Sequence, residues 1–327
     1  MKRVFSGVQP SGNLTLGNYL GALRQFVALQ HEHECFFCVV DLHAITVPQD
    51  PSLLRAKTEE VAGLLLAAGL DPARMTLFVQ SHVPAHAELC WILNSVTTFG
   101  ELGRMTQFKD KAKDRKSVSA GLFNYPILMA ADILLYRTHL VPVGADQKQH
   151  LELTREVAQR FNSRYGETFV VPEPLIPKVG ARIMALDDPT SKMSKSSEVP
   201  ASYIALLDPP DTVRAKVARA VTDSGREVRY APQEKPGVSN LLVIYALCSG
   251  KSVEEAEQDF EGAGYADLKR AVAESVIETL RPLQARYKDL TVSGEVHEVL
   301  AAGRRRAAEV AGPVLEEVKD KVGLLRA

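Results

Sequence analysis

The stretch Gly7-Val-Gln-Pro-Ser-Gly-Asn-Leu-Thr-Leu-Gly-Asn-Tyr19 constrains this chain more than any other. Before it, Arg3 to Ser6 read as a short strand. After it, Leu16, Leu20, Leu23, Val27 and Leu29 recur at helical spacing, which predicts a helix starting near Thr15. A strand that feeds a helix through a glycine-rich turn presents backbone N–H groups at a helix N-terminus, where phosphate is favoured. Gly17 and Gly21 are four apart and share a helix face, and their missing side chains let a flat ligand lie close to the backbone. The turn contains neither G-x-G-x-x-G nor a Walker sequence, so an ordinary βα turn with glycines for geometry stands beside the phosphate reading.

At 327 residues the chain is long enough for a large core and two domains. Its 46% hydrophobic and 24% charged residues exclude a disordered chain. The net charge of −1 means that a nucleic-acid partner would need local basic patches. Four cysteines are too few for a disulfide scaffold and fit a reduced cytoplasm. Met1-Lys-Arg3 runs into mixed sequence, so no secretory signal is expected, and the longest apolar run, Val61 to Leu70, is too short to cross a bilayer.

Cys35 to Asp41 reads as a buried parallel strand. Its C-x-x-C spacing puts the two thiols on opposite strand faces, which argues against a metal. His43 follows the strand's carboxyl end, where open α/β sheets place ligands, although a lone histidine also serves structure. Asp50 and Pro51 open a helical pattern through Leu65, and Thr76 to Gln80 is the next strand. This alternation predicts a doubly wound parallel sheet. Ala85 to Val96 reads as a helix with Trp91 as a packing residue, at a subunit interface or within the fold. Lys109, Lys111, Lys113, Arg115 and Lys116 form either a solvated face or a phosphate-facing loop.

Asp132 sits inside the apolar run Tyr125 to Tyr136, with Met129 one turn earlier on the same face. A buried carboxylate must have a partner: a backbone group, an arginine, or a ligand N–H or O–H. Leu140 to Val143 reads as a strand, followed by Gly144, Ala145 and Asp146 at the start of a helix through Leu151, Leu153 and Val157. Asp146 either accepts from ribose hydroxyls or caps that helix, and Gln147 is placed to bond a polar ligand. Ile176 to Met184 looks strand-like. Asp187 to Ser197 carries Lys192 and Lys195 among serines without a packing stripe, which reads as a mobile surface loop able to close over a polyphosphate.

Thr15-Leu-Gly-Asn18 and Lys192-Met-Ser-Lys-Ser196, in this order with Gly144-x-Asp-Gln147 between them, resemble the HIGH and KMSKS signatures of class I aminoacyl-tRNA synthetases. Ser6 to Gly12, Gly17 to Ala22, Asp41 to Thr46, Met129 to Tyr136 and Val143 to His150 resemble the bacterial tryptophanyl-tRNA synthetases, and the likeness spans nearly the whole chain. Asn18 stands where the wider class has its second HIGH histidine. The resemblance implies an α/β fold, with a doubly wound, Rossmann-like catalytic domain and an all-helical C-terminal domain. It implies ATP contacts from Gln9, Pro10, Ser11, Gly17, Asn18, Gly144, Ala145, Asp146, Ile183, Lys192, Met193, Ser194, Lys195 and Ser196. It implies a tryptophan pocket with Asp132 accepting the indole N–H, lined by Phe5, His43, Met129, Val141 and Val143, with Tyr125 and Gln147 on the amino-acid head group. Lys192, Lys195, Lys111 and Gln9 are the implied catalytic residues, and Mg²⁺ is expected on the ATP phosphates, with no metal site in the protein. The implied partners are L-tryptophan, ATP, tRNA(Trp) and a second copy of the chain, with no DNA and no membrane.

Beyond Pro200 the chain reads as helical: a start at Asp208 to Val213, then Ser239 to Leu247, a capping box Ser252-x-x-Glu255, Ala266 to Arg281 and Glu298 to Val322. Cys248-Ser-Gly-Lys-Ser252 imitates the end of a Walker A loop, but Tyr245 stands where its first glycine belongs. Arg304-Arg-Arg306 is a phosphate contact or a solvated face. The expected division is 1–190 for catalysis, 191–290 for the KMSKS loop and an anticodon-reading helical domain, and 291–327 for a terminal helix packing back on the first. Alternatives are a tyrosyl-tRNA synthetase, a nucleotidyltransferase of the same superfamily without a tRNA role, and a retired synthetase acting as an RNA- or protein-binding module.

Overall fold

The computed structural model describes residues 1–106, 108–109, 118–144, 147–175, 182–194, 197 and 199–325. Its centre is a parallel sheet of β1 (Arg3–Val8), β2 (Glu34–Val39), β3 (Met75–Val79), β4 (Leu140–Pro142) and β5 (Glu173–Leu175), in the order β3-β2-β1-β4-β5. β2 is buried on both faces, as a central parallel strand requires. Strand order reverses between β1 and β4, which opens a crevice beyond their carboxyl ends. Of the expected strand-like run 176–184, residues 176–181 lie outside the described ones, and Met184 bridges Lys192 in antiparallel register. Glu173–Leu175 takes the sheet edge, where Pro174 is tolerated because an edge strand can spare an N–H.

The helices before the C-terminal third are α1 (Leu16–Asn18), α2 (Arg24–Leu29), α3 (Asp41–Ala44), α4 (Pro51–Ala67), α5 (Ala85–Asn94), α6 (Phe99–Gly103), α7 (Ala120–Leu134) and α8 (Lys148–Tyr165). Asp50 caps α4, accepting from the N–H groups of Ser52 and Leu53, with Pro51 at the first position. Between α1 and α2, Tyr19–Leu23 winds as a π-helix, a feature that helical spacing alone did not foretell. Trp91 is 79% exposed.

The C-terminal part comprises α9 (Pro210–Ala218), α10 (Pro236–Ser249), α11 (Val253–Gln258), α12 (Tyr265–Ser293) and α13 (Glu295–Val322). The expected capping box of Ser252 and Glu255 opens α11. Helix α12 runs through Pro282, where the sequence pattern stopped, because Leu280 and Leu283 are both buried and hold the backbone helical across it. Cys248–Ser252 is the end of one helix and the cap of the next: Gly250 takes the left-handed C-cap and Lys251 pairs with Asp259. A helix C-terminus repels phosphate, so the Walker-like letters carry no phosphate site.

Apolar packing falls into two clusters, one per sheet face. The first joins Val4, Cys35, Phe37 and Val39 to Leu241, Val272 and Leu280 of the C-terminal helices. The second joins Phe5, Phe36 and Cys38 to α5, α7, α8 and the far end of α13. Cys35 and Cys38 therefore lie on opposite sides of the sheet, as residues three apart on a strand must. Helix α13 crosses the β3 edge at Gly303, where a Cβ would stand 1.8 Å from the Leu77 carbonyl oxygen, and Lys319 pairs with Glu88 at 3.0 Å. An exposed parallel edge is thereby covered.

Candidate active site

A cleft of about 960 Å³ opens at the β1–β4 reversal. On one side lies the glycine turn. The Thr15 hydroxyl accepts from the Asn18 N–H at 3.3 Å, and Asn18 Oδ1 accepts from the Thr15 N–H at 2.9 Å, a reciprocal cap that fixes the helix start. This use of Oδ1 leaves the Nδ2 amide as the group with which Asn18 meets a ligand. The Leu16 N–H donates to the Ile204 carbonyl at 2.8 Å and the Leu206 N–H to the Leu14 carbonyl at 2.9 Å, which ties the turn to the segment leading into the helical part.

The lysine segment lies directly on this turn. A Cβ on Gly17 would stand 3.4 Å from the Met193 Cβ and 3.6 Å from the Ile183 Cβ. The Met193 N–H donates to the Ile183 carbonyl at 3.0 Å, and Met184 bridges Lys192 in antiparallel register. The expectation of a surface loop without packing fails for Met193, which is 2% exposed, because this pairing and the bare Gly17 give its side chain a socket.

On the other side stands Asp132, 1% exposed. Its Oδ1 accepts from Gln80 Nε2 at 2.7 Å and His86 Nδ1 at 2.6 Å, and its Oδ2 from His43 Nε2 at 2.8 Å. Among the described residues, neither a backbone group nor an arginine is the partner. Burial pushes the carboxyl pKa up, but the hydrogen bonds and charge of His43 and His86 outweigh it and hold the group below the usual carboxylate value. The Tyr136 hydroxyl and His86 Nε2 are hydrogen-bonded at 2.8 Å. The Tyr125 hydroxyl and His150 Nε2 are hydrogen-bonded at 2.6 Å, and burial keeps that phenol protonated.

The structure gathers Phe5, Gln9, Gly17, Asn18, His43, Tyr125, Met129, Asp132, Val141, Val143, Gly144, Gln147, Ile183 and Lys192 around the cleft. Pro10 and Met193 are buried beside it, and Pro10, Ser11, Met193 and Ser194 do not line it. Lys111, Ala145, Asp146, Lys195 and Ser196 lie outside the described residues. Gln80, His86, Tyr136 and His150 were not singled out from sequence. Gln80 had a usable signal, since it directly follows β3, where α/β sheets place functional groups. His86 and His150 look like ordinary helix residues until the fold aims them at Asp132 and Tyr125. Among the described residues, no group of three or more His, Cys, Asp or Glu side chains is placed to hold a metal ion.

A crevice at the strand reversal, a capped glycine turn and a paired lysine segment define a nucleotide-using α/β enzyme. The family described as tRNA synthetases class I (W and Y) matches residues 1–281, and the chain belongs to it. A tryptophan--tRNA ligase of Caldanaerobacter subterraneus subsp. tengcongensis is 62% identical over 325 residues, covering 99% of each chain. The tryptophanyl-tRNA synthetase of Mycoplasma pneumoniae superposes with a TM-score of 0.92 at 38% identity, covering 99% of this chain and 98% of that one. The Campylobacter jejuni enzyme, solved with ADP and tryptophan, gives 0.85 at 33%, covering 98% and 100%. Within the family, the chain falls among the bacterial tryptophan–tRNA ligases and not with the tyrosine enzymes.

Proposed function

We propose that this cleft activates L-tryptophan with ATP and passes it to tRNA(Trp). The observation that carries the reading is the seating of Gly17 against Met193 and Ile183 at the mouth of the same cleft that contains Asp132. The indole ring enters between Phe5, Met129, Val141 and Val143, with its N–H on Asp132. Tyr125 and Gln147 hold the head group. ATP lies along Gln9, Pro10, Ser11, Gly17, Asn18 and Gly144 to Asp146, with Mg²⁺ arriving on its phosphates as part of the substrate.

No general base is required, because the amino-acid carboxylate is already ionised at neutral pH. It attacks the α-phosphorus in line, the bond to the β-phosphate oxygen breaks, and pyrophosphate leaves carrying the displaced charge. Catalysis is positioning and charge stabilisation, in which Lys192, Lys195 and Lys111 follow the charge onto the leaving group. A terminal ribose hydroxyl of the tRNA then takes the tryptophanyl group and releases AMP. The helical part reads the anticodon, and the working form is a cytoplasmic homodimer. ATP–pyrophosphate exchange with each of the twenty amino acids tests the reading. Exchange with tryptophan alone is expected. Exchange with tyrosine instead would reassign the pocket, and none with any amino acid would make the chain a binding module.

A further inference from the structure

We propose that His86, anchored by Tyr136 and assisted by Gln80, is a positioning residue that saturates one oxygen of Asp132 and so reserves the other for the substrate's ring N–H. The inference rests on the reading above that Asp132 receives that N–H.

A carboxylate oxygen has two in-plane lone pairs. Both sites on Oδ1 are taken, by Gln80 at 2.7 Å and His86 at 2.6 Å. Among the described residues, Oδ2 accepts only from His43, at 2.8 Å, so one acceptor site remains there. The division matches the geometry of the cleft. His43 lines it, whereas Gln80 and His86 are both 0% exposed and stand behind the carboxylate. The remaining acceptor site is therefore on the oxygen whose protein donor faces the ligand.

His86 cannot easily give up this duty. Its second nitrogen is held by the Tyr136 hydroxyl at 2.8 Å, and the Tyr136 ring stacks on Phe36 at 4.8 Å and Phe5 at 5.5 Å. A buried polar network with every member satisfied has one arrangement, and that arrangement aims the carboxylate. Phe5 also lines the cleft, so the stack that anchors His86 touches the ring pocket itself. Without His86, Oδ1 lacks one of its donors. The carboxylate is then free to rotate or to take a proton, and either change spoils the acceptor offered to the ring N–H.

The test compares dissociation constants of tryptophan and of β-(3-benzothienyl)alanine, in which sulfur replaces the ring N–H, for the full-length enzyme. For His86→Phe, tryptophan binding is expected to weaken about 10- to 100-fold while the isostere changes little, so the preference collapses. His86→Asn, whose amide nitrogen stands near the Nδ1 position, should recover most of it, and the KM for ATP should stay within about twofold. If both ligands weaken together, or tryptophan binding is unchanged, His86 is structural only and the proposal fails. If His86→Phe does not fold, Tyr136→Phe, which keeps the ring and removes only the anchor, must show a smaller loss of the same preference; a preference equal to wild type overturns the idea. Equal binding of the two ligands by the wild-type enzyme would instead sink the assignment of Asp132 as the N–H acceptor.

Discussion

An ionised carboxylate shut away from water survives only among donors, and Asp132 has three of them within 2.8 Å. Replacing it with asparagine turns one acceptor oxygen into a donor facing N–H groups. For Asp132→Asn we expect tryptophan-dependent pyrophosphate exchange to fall by a factor on the order of 10² in kcat/KM, with the KM for ATP nearly unchanged. Equal losses for both substrates would remove Asp132 from tryptophan recognition. The pH response has a definite sign. Because the carboxyl pKa is depressed, its contribution is lost only as pH falls through that depressed value. Tryptophan affinity should therefore show no loss from Asp132 protonation between about pH 8 and about pH 5. Asp132 itself was legible in the sequence, because a lone acid in an apolar helix needs a reason. Its partners were not: Gln80, His86 and His43 come from different elements, and no spacing links them.

Residues 183–193 show what pairing adds to a motif. The Ala185 N–H donates to the Ser191 carbonyl at 2.8 Å, and the Met184–Lys192 bridge continues the pairing. From α10, Asn240 clamps Met184 at both backbone groups, Oδ1 accepting from its N–H at 2.9 Å and Nδ2 donating to its carbonyl at 3.1 Å. A helix of the C-terminal part thus grips the segment that positions Lys192. Asn240→Ala should slow pyrophosphate exchange about tenfold, leave tryptophan affinity unchanged and lower stability by about 1–2 kcal/mol. Exchange at the wild-type rate would show that the clamp does not bear on lysine placement. The letters of the lysine motif were readable in the chain, but its packing was not, since Met193 finds its socket only when Gly17 is brought to it from the other end of the domain. The π-turn at Tyr19–Leu23 was hidden for the same kind of reason, because apolar spacing over so short a span does not separate it from an α-helix.

At the scale of the molecule, α13 returns across β3 and both sheet faces are covered. Against that coverage, Trp91 and Phe99 stand 79% exposed on α5 and α6, which both flank α7. Large apolar side chains left in water mark a contact surface, and a second copy of the chain is the occupant that the homodimer reading supplies. Sedimentation should find the wild-type protein dimeric and Trp91→Glu shifted toward monomer, with any loss in melting temperature dependent on protein concentration. A wild-type monomer at micromolar concentration would refute the dimer.

The chain on its own determined the elements and the chemistry they can carry. Buried β-rich runs, helical spacing, caps and two lettered motifs are local patterns, written by contacts between residues close in sequence. Tertiary structure decided which edge Glu173–Leu175 would take, how α12 passes Pro282, where Met193 is buried and which donors surround Asp132. Those outcomes depend on contacts between distant segments, whose energies exist only once the sheet has brought the segments together.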